Sequence, residues 1–156
     1  MAATWPPVAA NALGMARGAM DAFVQLASET GSTRSATLLR DRAPIQNIVG
    51  KAEAIINSSR AYILDSLGAL MDVLDEGQHD PAPQIAQLRL ATTHGMWQAV
   101  DMLFHAAGTN AIHPKYPLER FFRDVHVSVQ DGAGLLSNFD SGGQVMLGLR
   151  PTDPGW

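Results

Sequence analysis

The fold is decided by one long stretch, residues 44–74, which reads PIQNIVGKAEAIINSSRAYILDSLGALMDVL. Its apolar and small residues recur at alternating steps of three and four, the spacing that places side chains on one face of an α-helix. Pro44 is tolerated at the first helical position, where its missing N–H would have no helical partner. The stretch therefore predicts one unusually long amphipathic helix that ends within residues 75–80. The face consists of Ile45, Ile48, Ala52, Ile55, Ser59, Ile63, Leu67, Leu70 and Leu74.

A first helix is predicted before this stretch, separated from it by a polar loop at residues 31–43. It begins after Pro7 and ends near Gly31, which we expect to take the left-handed cap conformation. Its apolar stripe consists of Leu13, Ala16, Met20, Phe23 and Ala27.

Two more helices are predicted after the long one. The third begins at residues 80–81, where Asp-Pro supplies an N-cap and a proline in the first turn, and it ends at Gly108. A loop at residues 109–114 follows it. The fourth runs over residues 117–139 and ends at the glycine pair 142–143.

Gly132 and Gly134 are unusual inside the fourth helix, since each glycine costs up to about 1 kcal/mol relative to alanine. They indicate either the close approach of another backbone or a break in the helix. No alternating strand pattern extends over more than a few residues. We therefore expect an all-α fold, an antiparallel up-down four-helix bundle with long helices, forming a single domain over residues 1–156.

The composition limits the functional classes. The 156 residues include 11 Lys and Arg against 15 Asp and Glu, a net charge of −4, which argues against generic nucleic-acid binding. The absence of cysteine excludes disulfides and thiolate metal sites. Neither a signal peptide nor a membrane span is recognisable, so we expect a soluble cytoplasmic protein with no membrane partner.

Four segments carry a resemblance to a known family: residues 13–23 (LGMARGAMDAF), 44–46 (PIQ), 106–111 (AAGTNA) and 117–126 (PLERFFRDVH). In order and spacing they resemble the C-terminal helical domain of the acyl-CoA dehydrogenase superfamily, in the branch of the two-component flavin-dependent monooxygenases. The resemblance extends from about Pro7 to Leu149, and the segment at 117–126 is its most specific part.

The resemblance implies a flavin, FMN or FAD, held partly by the glycine loop, with Gly108, Thr109, Asn110 and Arg123 as cofactor-binding residues. Gly108 permits close backbone approach, while Thr109 and Asn110 offer hydrogen-bonding groups to a phosphate. The alternative is that Gly108 only caps the third helix and the next two residues form a turn. The resemblance also implies that the bundle mediates dimer or tetramer contacts.

Two departures from the family concern catalysis. Many monooxygenase members carry a histidine eight residues after the arginine of the Arg-Asp pair, and Asp131 stands at that position here. His126, five residues away, projects from a different side of the helix and cannot simply replace it. We also expect the family's N-terminal α domain and middle β domain to be absent, so we assign no catalytic residue and expect no catalysis by this chain alone.

Other signals favour ordinary structural roles. His79 lies in a Glu-x-x-His motif typical of di-iron bundles, but that chemistry needs two such motifs, so no metal site is predicted. His94 and His105 lie three helical turns apart and cannot share an ion. For Arg60, in the long helix, we expect a carboxylate partner or an interface.

Two clusters have more than one interpretation. Arg34, Arg40 and Arg42 in the first loop are either solvated or able to meet a nucleotide phosphate. An apolar set around the third helix is either core, the commoner case, or the lining of an aromatic pocket. That set consists of Met96, Trp97, Met102 and Phe104.

Two hypotheses of function follow. The first is a C-terminal bundle of an acyl-CoA dehydrogenase-like flavin oxidoreductase, which supplies part of a flavin site and an oligomer interface, with a partner subunit carrying the missing domains. The second is a non-catalytic oligomeric scaffold that keeps the fold without flavin.

Overall fold

The computed structural model describes residues 5–31, 37–77, 80–93, 95–130, 132 and 134–153, and these residues form helices and no strand. One isolated antiparallel bridge joins Gly31 to Leu38. Within the described part of the chain, no helix has the length and apolar character needed to cross a membrane. The six α-helices are α1 Trp5–Glu29, α2 Ala43–Glu76, α3 Ala82–Thr93, α4 Met96–Ala107, α5 Leu118–Ser128 and α6 Ser137–Met146, with short 3-10 turns at Leu39–Asp41 and Gly108–Ile112.

The all-α class predicted from the sequence is confirmed. The long second helix is present as α2, and it ends at Gly77, which takes the left-handed conformation with φ 64°. The cap predicted at Gly31 is wrong, because this glycine has no positive φ and lies in the bridge to Leu38 instead. The arrangement as four helices is not confirmed, since the third and fourth predicted helices are both interrupted.

The third predicted helix is divided into α3 and α4 at Gly95. This glycine is buried and has φ 48°, a conformation that interrupts the regular helix. The last residues of α3 also favour a break. The Thr92 and Thr93 hydroxyls donate to the Arg89 carbonyl at 3.0 Å each, and side-chain hydrogen bonds of this kind compete with the helix backbone. The second part, α4, ends at Gly108 as predicted.

The fourth predicted helix is divided into α5 and α6. The backbone leaves the helix after Ser128, and Gly134 then packs against Val129 so closely that an added Cβ would lie 2.6 Å from the Val129 Cα. The glycine pair predicted to end the helix lies inside α6. Gly142 is needed there for packing, because a Cβ would lie 2.7 Å from Cδ2 of Leu90.

The core is centred on α1, which contacts α2, α3, α4 and α5. Small side chains on α1 allow this, and the buried ones include Ala9, Ala12, Ala16 and Ala19. Fully buried side chains that fill the core include Phe23 and Leu26 from α1, Ile56 from α2, Leu103 from α4 and Val125 from α5.

A buried arginine, which the sequence analysis did not single out, ties three parts of the chain together. Arg89 on α3 is 2% exposed. Its guanidinium lies 4.0 Å from the centre of the Trp5 ring, and its Nη1 donates to Asp153 at 2.6 Å. The charge is therefore compensated by an aromatic face at the start of α1 and a carboxylate near the end of the chain.

A carboxylate at the end of α1 anchors the turn before α5. Lys115 Nζ donates to Glu29 Oε2 at 2.5 Å, and the Tyr116 hydroxyl donates to the same oxygen at 2.6 Å. These hydrogen bonds lower the pKa of Glu29 from 4.5 to about 2, and the one from Lys115 has the largest effect. The ionised form of Glu29 is thus favoured by the folded state.

We predict that Gly134→Ala destabilises the fold by about 1–3 kcal/mol, the range for overpacking, because the new Cβ meets backbone that cannot rotate away. Gly132→Ala is the matched control, since a Cβ there meets nothing within 4 Å. Urea unfolding followed by circular dichroism measures both. Equal effects of the two substitutions would contradict the packing described for Gly134.

We predict that Glu29→Gln lowers stability at neutral pH and that this deficit disappears in acid. A carboxylate with a lowered folded-state pKa contributes stability above its unfolded pKa, and the contribution is lost as the pH falls from about 4.5 to about 2. Melting temperatures across this range, beside those of Asp72→Asn as an exposed control carboxylate, test the prediction. A deficit that persists unchanged at the lowest pH would contradict it.

Candidate functional site

Four aromatic side chains form a row along α4 and α5, which we call the aromatic row: Trp97, Phe104, Phe122 and His126. The Phe104 and Phe122 rings are stacked, with centroids 4.1 Å apart and planes at 26°. His126 continues the row 4.4 Å from Phe122, and Trp97 meets His126 edge-on at 6.2 Å. All four side chains are half-buried, so one side of the row is accessible.

The aromatic row forms part of the wall of two adjoining open cavities that share His126 and Gln130, and we call the two together the aromatic groove. One has a volume of about 440 Å³ and the other about 620 Å³. The smaller is lined by Trp97, His126, Val129, Gln130, Leu135, Leu136 and Ser137. The larger is lined by Phe104, Glu119, Phe122, Arg123, His126, Val127 and Gln130. Aromatic walls with a few polar groups are typical of sites that bind planar organic molecules.

The imidazole of His126 is held from both ends. Its Nδ1 lies 2.7 Å from the Phe122 carbonyl oxygen, and its Nε2 lies 3.2 Å from Oδ1 of Asp101. This Asp101 oxygen is buried and accepts no hydrogen bond in the described part of the chain. The polar atom that faces it is Nε2 of His126. Because both nitrogens face protein oxygens, the ring offers the groove its face rather than a proton donor or acceptor.

Arg123 provides a positive charge at the rim of the larger cavity. Its Nη1 lies 3.2 Å from Glu119 and its Nε lies 3.9 Å from Asp124, while the side chain is 62% exposed. Arg120 on the same helix forms a similar pair with Asp124, at 3.4 Å. Exposed ion pairs of this kind contribute little to stability, so the Arg123 guanidinium can leave them and turn toward an anionic ligand at a small cost in free energy.

The glycine loop predicted to bind the cofactor forms the 3-10 turn at the end of α4. Gly108 has φ 58° and ψ −137°, which requires glycine at this cap. Thr109 is exposed and Asn110 half-buried, and neither side chain has a hydrogen-bond partner within the described residues. The turn contacts α5, but it does not line the aromatic groove. The four predicted residues thus lie on adjoining elements, and no hydrogen bond joins Arg123 to the turn.

Comparison with known proteins identifies the family. The model described as "Acyl-CoA dehydrogenase, C-terminal domain" matches residues 7–130. The chain belongs to this family. It is 31% identical over 147 residues to indole-3-acetate monooxygenase of Pseudomonas putida, an alignment that covers 92% of this chain and 38% of the relative.

Solved structures show that the fold of this acyl-CoA dehydrogenase C-terminal domain is shared with flavin enzymes. XiaF from Streptomyces sp., in complex with FADH2 and glycerol, superposes with a TM-score of 0.85 at 22% identity, covering 98% of this chain and 40% of XiaF. The HsaA monooxygenase from M. tuberculosis gives a TM-score of 0.79 at 23% identity, covering 97% of this chain and 39% of HsaA. The chain thus spans less than half the length of each relative.

Several candidate residues of the sequence analysis lie outside the described part of the domain: His79, His94, Arg34 and Asp131. Within the described part, no group of three histidine, aspartate or glutamate side chains is placed to hold a metal ion. Arg40 is exposed and lies 3.8 Å from Asp41.

The sequence analysis missed the aromatic row as a unit. Of the apolar set around the third helix, Met96 is in the core, while Trp97 and Phe104 border the groove. The signal was present, because residues seven apart on α4 and four apart on α5 share a helix face. What the sequence did not show is that these two faces meet, which depends on the crossing of α4 and α5.

Proposed function

We propose that this chain forms the C-terminal helical part of an acyl-CoA dehydrogenase-like flavin-dependent monooxygenase. In this proposal it contributes one wall of a flavin site and contacts between subunits, and it does not catalyse the reaction alone. The observation that carries the proposal is the aromatic groove, which combines an accessible row of four aromatic rings, two of them stacked, with Arg123 at its rim.

The residues present fit a flavin, either FMN or FAD. The accessible side of the aromatic row suits a planar ring system, which gains from stacking on aromatic faces. The exposed guanidinium of Arg123 suits a phosphate. Thr109 and Asn110, whose side chains are unpartnered in the described residues, are the proposed hydrogen-bonding groups of the glycine turn.

Bound flavin would supply the redox chemistry, while this chain's residues would bind and orient it. The Phe104 and Phe122 rings, which are stacked with their planes at 26°, would support the flavin ring system, and the contact with Asp101 would orient the adjoining His126 ring, which is tilted by 39° from Phe122. Both cavities are wide open on one side, so this chain does not exclude water from a ligand in the groove. The relatives' greater length supports the proposal that further domains, in the same polypeptide or a partner subunit, close the site.

We also propose that the predicted four-helix architecture persists in an interrupted form. In this arrangement α3 and α4 together form the third member of an up-down bundle, bent at Gly95, and α5 forms the fourth. The contacts of α1 with α2, α4 and α5, and of α2 with α3 and α4, support it.

A non-catalytic scaffold is the second candidate function. Asp131 stands where many monooxygenase members carry histidine, and Arg123 already has two carboxylate neighbours. Both features are those expected of a bundle that keeps its fold and its association surfaces without a cofactor.

We predict that the purified chain binds reduced FMN or FAD saturably in an anaerobic titration and that Arg123→Ala weakens binding about 10-fold, the loss expected for one charge-assisted contact. Asn110→Ala is expected to weaken binding less, because a neutral hydrogen bond contributes less. Flavin absorbance and fluorescence provide the readout.

Arg120→Ala is the matched control. Arg120 lies on the same helix and has the same type of pair with a carboxylate four residues on, but it does not line the groove. Flavin binding that is absent, or that falls equally in the Arg120 and Arg123 variants, would contradict the proposed site and favour the scaffold.

A further inference from the structure

The second half of α2 and the first half of α3 enclose a small cavity, which we call the α2–α3 cavity. Its volume is about 190 Å³, and it is open to solvent on one side. None of its lining residues lines the aromatic groove, so it is a separate feature of the chain. It is lined by Tyr62, Asp65, Ser66 and Ala69 from α2 and by Pro83, Gln84 and Gln87 from α3.

Two side-chain oxygens in the wall of the α2–α3 cavity are buried and have no hydrogen-bond partner among the described residues. They are the Ser66 hydroxyl and Oε1 of Gln84. Ser66 as a whole is only 3% exposed. A buried polar atom without a partner destabilises the fold, so one that faces a cavity points to a ligand that completes it. Because Oε1 of Gln84 can only accept, that ligand carries a hydrogen-bond donor.

The other polar groups of the wall also suit a donor. The Tyr62 hydroxyl donates its proton to Oε1 of Gln87 at 2.6 Å, which leaves lone pairs of the Tyr62 oxygen to accept. Burial raises the pKa of Tyr62, so this hydroxyl stays protonated at neutral pH. Asp65 is exposed and forms no ion pair with any described residue. One carboxylate and three uncharged oxygens thus line the cavity, and its described lining residues include no cation.

The surrounding segment is negatively charged. Residues 61–88 contain no lysine or arginine and five carboxylates: Asp65, Asp72, Asp75, Glu76 and Asp80. Arg60, immediately before this segment, is exposed and forms no ion pair in the described part of the chain, where the carboxylate partner expected from the sequence is not found. The field around the α2–α3 cavity therefore attracts cations and repels anions.

We infer that the α2–α3 cavity binds an organic cation through its guanidinium group. The planar guanidinium carries several N–H donors in a fixed fork, so it can bond more than one of the oxygens in the wall at once. Its delocalised charge is weakly hydrated and packs against aromatic and apolar surface, here Tyr62, Ala69 and Pro83. A compact ammonium is more strongly hydrated and fits such a wall less well. The inference does not depend on flavin binding.

An NMR titration tests the ligand class, with ethylguanidinium as the probe and ethylurea as its uncharged analogue of similar shape. The side-chain amide signals of Gln84 and Gln87 report on the cavity itself. We expect ethylguanidinium to shift both signals saturably with a dissociation constant of about 1 mM, a weak affinity appropriate to so small a ligand. Ethylurea is expected to bind about 10-fold more weakly, because it lacks the charge. No saturable shift with ethylguanidinium, or equal binding of the two probes, would overturn the inference.

Two substitutions that remove the unpartnered oxygens test whether the wall binds the probe. Ser66→Ala and Gln84→Leu are each expected to weaken ethylguanidinium binding about 5-fold, the loss of one hydrogen bond. The melting temperature of Ser66→Ala is expected to stay the same or rise, since this hydroxyl has no partner among the described residues. Unchanged affinity in both variants would contradict the proposed site. So would a lower melting temperature of Ser66→Ala, because it would mean that the hydroxyl is bonded within the fold.

A third substitution tests the role of charge at the cavity. Asp65→Asn is expected to weaken ethylguanidinium binding about 3-fold, a modest effect because the carboxylate is exposed. Asp72→Asn is the matched control, since Asp72 is an exposed carboxylate two turns further along α2 that does not line the cavity. Equal effects of the two substitutions would mean that only the general field of the segment acts, which would contradict a defined site.

A second probe, N-acetyl-arginine methylamide, distinguishes the sources of the guanidinium group. Similar affinity for this probe and for ethylguanidinium would support an arginine side chain of another protein as the ligand. Affinity at least about 10-fold lower than for ethylguanidinium would support a free small molecule.

The same variants separate this inference from the flavin proposal. Because the α2–α3 cavity and the aromatic groove share no lining residue, Gln84→Leu is expected to leave flavin affinity unchanged. Binding of ethylguanidinium without flavin binding would support the cavity and remove the flavin role, and the opposite result would do the reverse.

Discussion

The contact between Gly18 of α1 and Phe121 of α5 constrains the rest of the structure. A Cβ at position 18 would lie 2.5 Å from the Phe121 Cζ, so only glycine admits the ring at this distance. Because Phe121 turns toward α1, Phe122 and His126 are left to face α4. There Phe122 stacks on Phe104, and the aromatic row forms. This close contact brings α5 against α1, and the residues that follow Phe121 on α5 form the groove with α4.

The sequence predicts an element well where local sequence determines it, and poorly where contacts between helices determine it. The long helix α2 and the alanine-rich α1 follow from periodicity, which is local, and both are present. The break at Gly95 does not follow from periodicity. The apolar pattern around this glycine is that of a continuous helix, and only the positive φ of Gly95 identifies the break. Leu74 lies on the predicted apolar face but is 52% exposed, whereas Leu70, one turn earlier, is buried, so the described residues cover this face only as far as Leu70.

The candidate site was predicted in part. Resemblance to the family pointed to the turn at Gly108 and to Arg123, and the structure places these on adjoining elements, α4 with its 3-10 turn and α5. The row of Trp97, Phe104, Phe122 and His126 and the Asp101 contact to His126 were not predicted as a site. They arise from the crossing of two helices, and no local pattern in either helix encodes that crossing angle.

The groove between α4 and α5 differs in character from the exposed apolar face of α2 at Leu64, Met71 and Leu74. The groove is concave and aromatic, which suits a planar ligand, whereas the exposed face of α2 is linear and aliphatic. Monomeric proteins rarely leave extended apolar surface open. The proposed function assigns the groove to the cofactor and the domains that would enclose it.

The most direct test of the flavin role is to map, by amide and indole NMR, which residues respond when reduced FMN or FAD is added anaerobically. The account predicts that the largest shifts occur at the Trp97 indole N–H and in the amides around Phe104, Asn110 and residues 119–127. Shifts confined to other elements, or no shifts at saturating flavin, would contradict the assignment of the aromatic groove.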